Sequence, residues 1–180
     1  IPLVQIRLQD ENGDAVSDEP GAQGEIVVRA PWLTQTYPNS AEAGADLWRG
    51  GWLHTQDVAT RETAGDIVIR DRLKDVIKTG GEWISSAEIE DLALRDPDIA
   101  EAAVVGAPDP RWGERPVLFA VPRSGRTPRL QTYKDNMMPL VATGRLSRWA
   151  TPDRMILVDA LPRTSVGKID KKALRLRLGD

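Results

Sequence analysis

Residues 71–86 read DRLKDVIKTGGEWISS, and the rest of the chain arranges itself around them. Asp71, Arg72, Lys74 and Asp75 make a charge cluster that does not belong in a core, and Val76–Ile77 then leads through Lys78 to the pair Gly80–Gly81. Paired glycines let the backbone take positive φ or approach a ligand closely. Glu82, a lone Trp83 and Ser85–Ser86 follow. Ser85-x-x-Glu88 fits a capping box, and Ile89, Leu92 and Ala93 continue it as an i, i+3, i+4 apolar face, so a helix starts here and Pro97 closes it.

Before this stretch the pattern is one of strands. Val4, Ile6 and Leu8 alternate with Gln5, Arg7 and Gln9, a half-buried strand by period. DENGD (10–14) is a turn, GEIVVRA (24–30) returns as a strand, and residues 31–51 read as loop with one short helix. Residues 53–61 and 66–70 are strand-like and join as a hairpin around Ala64–Gly65. After it, helices and strands mix: apolar runs at 99–107 and 116–121 suit buried strands, a helix near 130–143 must kink or break at Pro139, 155–158 is a strand, and 171–178 a short terminal helix. The expectation is an α+β chain divided near residue 72: 1–72 β-rich and incomplete, 73–180 a small α/β domain with a short mixed sheet flanked by helices. The opening at Ile1 reads as mid-strand, so the chain is expected to be a piece of a longer protein.

Bulk composition narrows the chemistry. With 41% hydrophobic and 28% charged residues the chain has the balance of a soluble globular protein. A net charge of −3 weighs against a nucleic-acid binder. There are no cysteines and one histidine, His54, so disulfides and thiolate sites are excluded and a zinc centre is not expected. No apolar run approaches the length of a membrane span, and no signal-peptide pattern opens the sequence.

Two more stretches carry chemistry. GWLHTQDVA (51–59) presents Asp57, whose ionised carboxylate can accept two O–H donors at once. LPRTSVGKIDKKALR (161–175) contains Gly167–Lys168 but fails as a Walker A loop, because Pro162 stands where its first glycine belongs and Ile169 replaces the Ser or Thr. Together with 71–86 these stretches closely resemble the carboxy-terminal part of the adenylate-forming, AMP-binding enzymes, and most closely that of the medium- and long-chain fatty acyl-CoA synthetases. The resemblance covers essentially the whole chain. It implies that 1–72 ends a large AMP-binding domain and 73–180 is the small mobile domain. Asp57 and Arg72 would bind the ribose of ATP, Lys74 would be the hinge, and Lys168 would contact carboxylate and α-phosphate during adenylation. Gly80 and Gly81 would line the CoA pantetheine tunnel, and Trp83 would sit at the nucleotide and acyl entrance. Lys78 reads as a plain solvated lysine, while Arg111 and Arg115 are lesser candidates for the CoA phosphates. Gln56 stands where the family's glycine is usual, which leaves the backbone turn there open to change.

The implied activity is an ATP-dependent, AMP-forming fatty acid–CoA ligase, cytoplasmic, using ATP with Mg²⁺ held outside this chain, and CoA as co-substrate. Its partners would be ATP/AMP, CoA, a fatty acid and the upstream large domain, with a homodimer left open, and neither nucleic acid nor membrane span. The Gly/Ser/Thr-rich phosphate loop of the family is not in this sequence, so the piece alone is expected to be inactive. Two alternatives stand beside this reading: an adenylating domain with another acceptor, such as a carrier protein or an oxidative, luciferase-like reaction, and a non-catalytic binding module of the same fold.

Overall fold

A computed structural model describes residues 3–36, 41–63 and 65–179. Ile1, Ala64 and Asp180 thus lie outside the described residues. The contacts divide the chain into two compact units, Ile1–Lys74 and Asp75–Asp180. Among the described residues nine strands and four α-helices make up an α+β chain.

The first unit is an antiparallel sheet of β1 (Gln5–Gln9), β2 (Gln23–Arg29), β3 (Leu53–Arg61) and β4 (Ile67–Arg72) in sequence order. Helix α1 (Ala41–Leu47) lies in the β2–β3 connection. The DENGD turn closes through Gly13 at φ 86, with Gly13 N–H donating to the Asp10 carbonyl at 3.2 Å. β2 and β3 fall out of register between Glu25 and Val27: Glu25 pairs with Val58 and Val27 with His54, so residues 55–57 of β3 bulge against Ile26 alone. Such a bulge re-aims side chains locally. Trp52, buried at the start of this hairpin, lies between the guanidinium groups of Arg7 and Arg29, each 4.3 Å from its ring centroid.

The second unit is a mixed sheet ordered β6 (Glu82–Ile84), β5 (Ile77–Thr79), β8 (Gly113–Pro122), β7 (Ile99–Asp109), with β9 (Arg154–Leu157) parallel to β8. The runs at 99–107 and 116–121 are apolar apart from Glu101, because both faces are covered. Ala102, Val104, Leu118 and Ala120 face a core with α2 (Ser86–Ala93) and α3 (Leu130–Ala142) that includes Ile89, Tyr133 and Met137. Ala103, Val105, Val117 and Phe119 face a second core with Leu161 and Leu174, the latter on α4 (Lys171–Leu176). Burying each such side chain contributes about 1.5–3 kcal/mol. Tyr133 donates its hydroxyl to the Ile89 carbonyl at 2.9 Å, joining α3 to α2, and burial raises its pKa.

Two sequence expectations change. Residues 77–84 form a hairpin, an element not among the expectations from the sequence. Helix α3 runs through Pro139 to Ala142 without ending there. The proline stands in the last turn, where it removes one N–H donor, and Thr143 Oγ1 returns a bond to the Pro139 carbonyl at 2.9 Å.

Candidate functional site

In the first unit the strand register brings two predicted residues together. Asp57 on β3 and Arg72 at the end of β4 are direct cross-strand partners, and Arg72 Nε lies 2.8 Å from Asp57 Oδ1. The Arg72 side chain is 62% exposed and that of Asp57 24%, so the pair is anchored on the carboxylate side and open to solvent on the other. An ion pair this exposed contributes at most about 1 kcal/mol, which leaves both groups available to a polar ligand at small cost. Asp57 is aimed by the bulge beneath it: its N–H donates to Thr55 Oγ1 at 3.1 Å, and Thr55 Oγ1 donates to the Ile26 carbonyl at 2.8 Å.

Gln56 adopts φ 64, the left-handed region that favours glycine. Its N–H and its Nε2 both donate to Glu25 Oε1, at 3.0 and 3.3 Å, and its carbonyl accepts from Leu73 N–H at 2.8 Å. The strand bonding thus ends one residue after Arg72. Lys74 is exposed in the turn between β4 and β5.

In the second unit Gly80 and Gly81 form the two-residue loop of the β5–β6 hairpin, at φ 60 and 83. Positive φ at both loop positions is the geometry that glycine permits without strain. The register pairs Lys78 with Trp83, and the Lys78 ammonium sits 5.2 Å from the Trp83 ring centroid. Lys78 is therefore not merely solvated; Trp83 holds it by a cation–π contact.

Around the loop lies a cluster of which the sequence singled out Arg111 alone. Gly80 N–H donates to the Trp112 carbonyl at 3.1 Å, and a Cβ on Gly80 would lie 2.5 Å from Trp149 Cε2. Trp112 and Trp149 pack with centroids 4.5 Å apart, Arg111 covers Trp112 at 4.4 Å, and Arg148 covers Trp149 at 4.7 Å. The available signal was two tryptophans each directly after an arginine, Arg111–Trp112 and Arg148–Trp149.

Arg115 is removed from the phosphate candidates. Its Nε and Nη2 bond both oxygens of Asp153, at 2.7 and 2.9 Å, and Nη1 and Nη2 donate to the Trp149 and Thr151 carbonyls at 3.1 Å each. It pins the start of β8 to the segment before β9. The hydrogen bond from Arg115 holds the Asp153 carboxyl below its usual range, and the same bond raises the Arg115 pKa.

The Lys168 loop is a pinned hairpin. Thr164 N–H donates to the Lys168 carbonyl at 2.7 Å, Gly167 N–H to the Thr164 carbonyl at 2.9 Å, and Arg163 bridges to Ile169. Gly167 takes φ 81. Arg163 also ion-pairs with Glu101 and donates to the Gly167 carbonyl at 3.0 Å. On the other side, Asp170 caps α4 at Ala173 N–H, and Lys171 Nζ reaches Ser86 Oγ and Glu90 Oε1, both at 2.7 Å. Lys168 itself is exposed, and no carboxylate among the described residues pairs with it. An ammonium on a long stem, carried by a loop fixed at both ends, is suited to meeting an anionic ligand.

Among the described residues no group of three or more His, Asp or Glu side chains is arranged for a metal ion, and no helix is long and apolar enough to cross a membrane.

Residues 88–168 match the AMP-binding enzyme C-terminal domain family, a match that ends on Lys168. The chain is 39% identical to a 3-methylmercaptopropionyl-CoA ligase of Ruegeria pomeroyi, over 98% of this chain and 32% of that protein. It is 40% identical to a long-chain-fatty-acid–CoA ligase of Thermus thermophilus, over 97% of this chain and 32% of that protein. It thus spans about a third of the length of these curated relatives. Among solved structures, ATP-bound MatB from Rhodopseudomonas palustris superposes with TM-score 0.77 at 29% identity, covering 100% of this chain and 35% of that one. The amide bond synthetase McbA from Marinactinospora thermotolerans gives 0.76 at 32% identity, covering 98% of this chain and 35% of that one.

Proposed function

The chain belongs to the AMP-binding, adenylate-forming enzymes as a carboxy-terminal portion, and on that premise we propose that its parent protein is an AMP-forming acyl-CoA ligase. In the first half-reaction a carboxylate oxygen attacks the α-phosphorus of ATP; the P–O bond to the leaving group breaks and pyrophosphate departs. In the second, the CoA thiol gives up its proton, its sulfur attacks the acyl carbon, and the C–O bond to AMP breaks.

The roles divide between the two units. Asp57 accepts the ribose hydroxyls, and Arg72 holds the nucleotide beside it. Lys168 meets the carboxylate and α-phosphate, whose approach brings two anions together and gathers charge on the equatorial oxygens. Lys74 is the hinge about which the small domain turns between the half-reactions. Gly80 and Gly81 line the pantetheine path. Trp83 stands near its entrance, and the aromatic and cationic surface of Trp112, Trp149, Arg111 and Arg148 suits the nucleotide end of CoA. The Mg²⁺ that accompanies ATP would be held by residues outside this chain, and the acid is a fatty acid. The observation that carries the proposal is the exposed Lys168 on its pinned hairpin, at the end of the family match.

The likeness to an amide bond synthetase favours one second reading, in which an amine replaces the CoA thiol as acceptor. One experiment separates the readings. In the full-length parent, acid-dependent pyrophosphate release and thioester formation are followed for wild type and Lys168→Ala, with a panel of fatty acids and with CoA or a primary amine. The variant is expected to lose adenylation by a hundredfold or more, while converting supplied acyl-adenylate to thioester at close to the wild-type rate. Equal loss of both half-reactions would sink the assignment of Lys168. Amide in place of thioester would favour the second reading.

A further inference from the structure

The proposed nucleotide carboxylate rests on a residue whose backbone is in an unfavourable region. Gln56 has φ 64, and it is the residue immediately before Asp57. A side-chain-bearing residue stays there only when its surroundings hold it. The holder is Glu25 of β2, 4% exposed. Its Oε1 accepts both from Gln56 N–H at 3.0 Å and from Gln56 Nε2 at 3.3 Å. Its Oε2 lies 2.8 Å from Nδ1 of buried His54, and since an ionised carboxylate only accepts, the ring nitrogen donates. Arg49 Nη2 lies 3.9 Å from the same Oε2 and 3.3 Å from His54 Nδ1, while its carbonyl lies 3.3 Å from His54 Nε2. The carboxylate therefore fills the space behind the β3 bulge and meets a donor on each oxygen. The Gln56 carbonyl accepts from Leu73 N–H, next to Arg72. One peptide conformation sets the position of both Asp57 and Arg72.

We propose that Glu25 is a positioning residue for nucleotide binding: by fixing Gln56 in the left-handed conformation, it aligns Asp57 and Arg72 on the ribose. This rests on the ribose assignment above and adds a residue that touches no ligand. Gln56 gives the mechanism its own test, because glycine adopts φ 64 without a tether and a β-branched residue resists it.

The experiment measures AMP binding to the full-length parent by titration calorimetry, with thermal unfolding of each variant alongside. Glu25→Ala is expected to weaken AMP binding at least tenfold. Adding Gln56→Gly should recover the affinity to within about threefold of wild type, although the contact to His54 stays lost and the unfolding temperature stays low. Glu25→Gln, which keeps the acceptor, should also recover most of it. Gln56→Val should weaken AMP binding at least tenfold with Glu25 intact. This change is at an exposed position, so it reads the mechanism even if Glu25→Ala does not fold. Wild-type affinity in Gln56→Val, or a double variant as weak as Glu25→Ala alone, overturns the inference. Asp57→Asn separates the two levels: if it binds AMP as wild type does, the ribose assignment falls and the inference with it. If it binds weakly while Glu25→Ala and Gln56→Val bind normally, only the inference falls.

Discussion

Arg115 and Gln56 are residues whose roles are set by what lies far along the chain. Arg115 spends its fork on Asp153 and two carbonyls, so Arg115→Lys keeps the charge but not the bidentate geometry. The pair also gives a pH prediction. The Asp153 carboxyl is held below its ordinary value of 3.8. A depressed carboxylate contributes stability above that value and loses it as pH falls towards the folded pKa. Urea unfolding of wild type and Asp153→Asn should differ by about 1 kcal/mol near neutral pH, a modest figure because half of the Asp153 side chain stays in water. The gap should close below pH 3.8. A gap that persists unchanged to pH 2 would show that the ion pair does not cause it.

At the scale of elements, the β5–β6 hairpin has adjacent glycines that serve different needs. Both have positive φ, but a Cβ on Gly81 meets nothing within 4 Å, whereas one on Gly80 would meet the Trp149 ring at 2.5 Å. Gly81→Ala should therefore cost only the left-handed penalty, about 1–2 kcal/mol. Gly80→Ala should cost about 1–3 kcal/mol more from overpacking. Trimming the neighbour with Trp149→Leu should reduce that excess. Chemical denaturation of the three variants checks this, and equal costs at the two glycines would contradict the packing seen around Trp149. The same hairpin shows a signal present in the sequence: two glycines as a two-residue loop would have predicted the register that puts Lys78 opposite Trp83.

For the whole molecule, the proposed division of labour makes the backbone at Lys74 matter more than its charge. Proline at 74 restricts both its own φ and the conformation of Leu73. In the parent, Lys74→Pro should leave adenylation within about threefold of wild type and lower thioester formation at least tenfold, while Lys74→Ala should spare both. Thioester rates unchanged in the proline variant would move the hinge elsewhere.

Much of the architecture was legible because it rests on local rules. Alternation placed the strand β1, although its burial does not alternate, since Ile6 is exposed and Gln9 buried beside Leu8. A capping Ser85 named the start of α2, and apolar runs named β7 and β8 as buried strands. The lysine loop was legible too, since proline, glycine and their spacing prescribe a short exposed turn whatever surrounds it. The tertiary structure alone decided the rest. That Gln56 takes the glycine conformation depends on a carboxylate 31 residues away, and that Arg115 is a strut depends on Asp153, 38 residues away. Local sequence fixes what a backbone prefers. Buried hydrogen bonds between distant strands fix where that preference is overruled, because leaving a buried donor or acceptor unmade costs about 1–3 kcal/mol, as much as the strain of one residue.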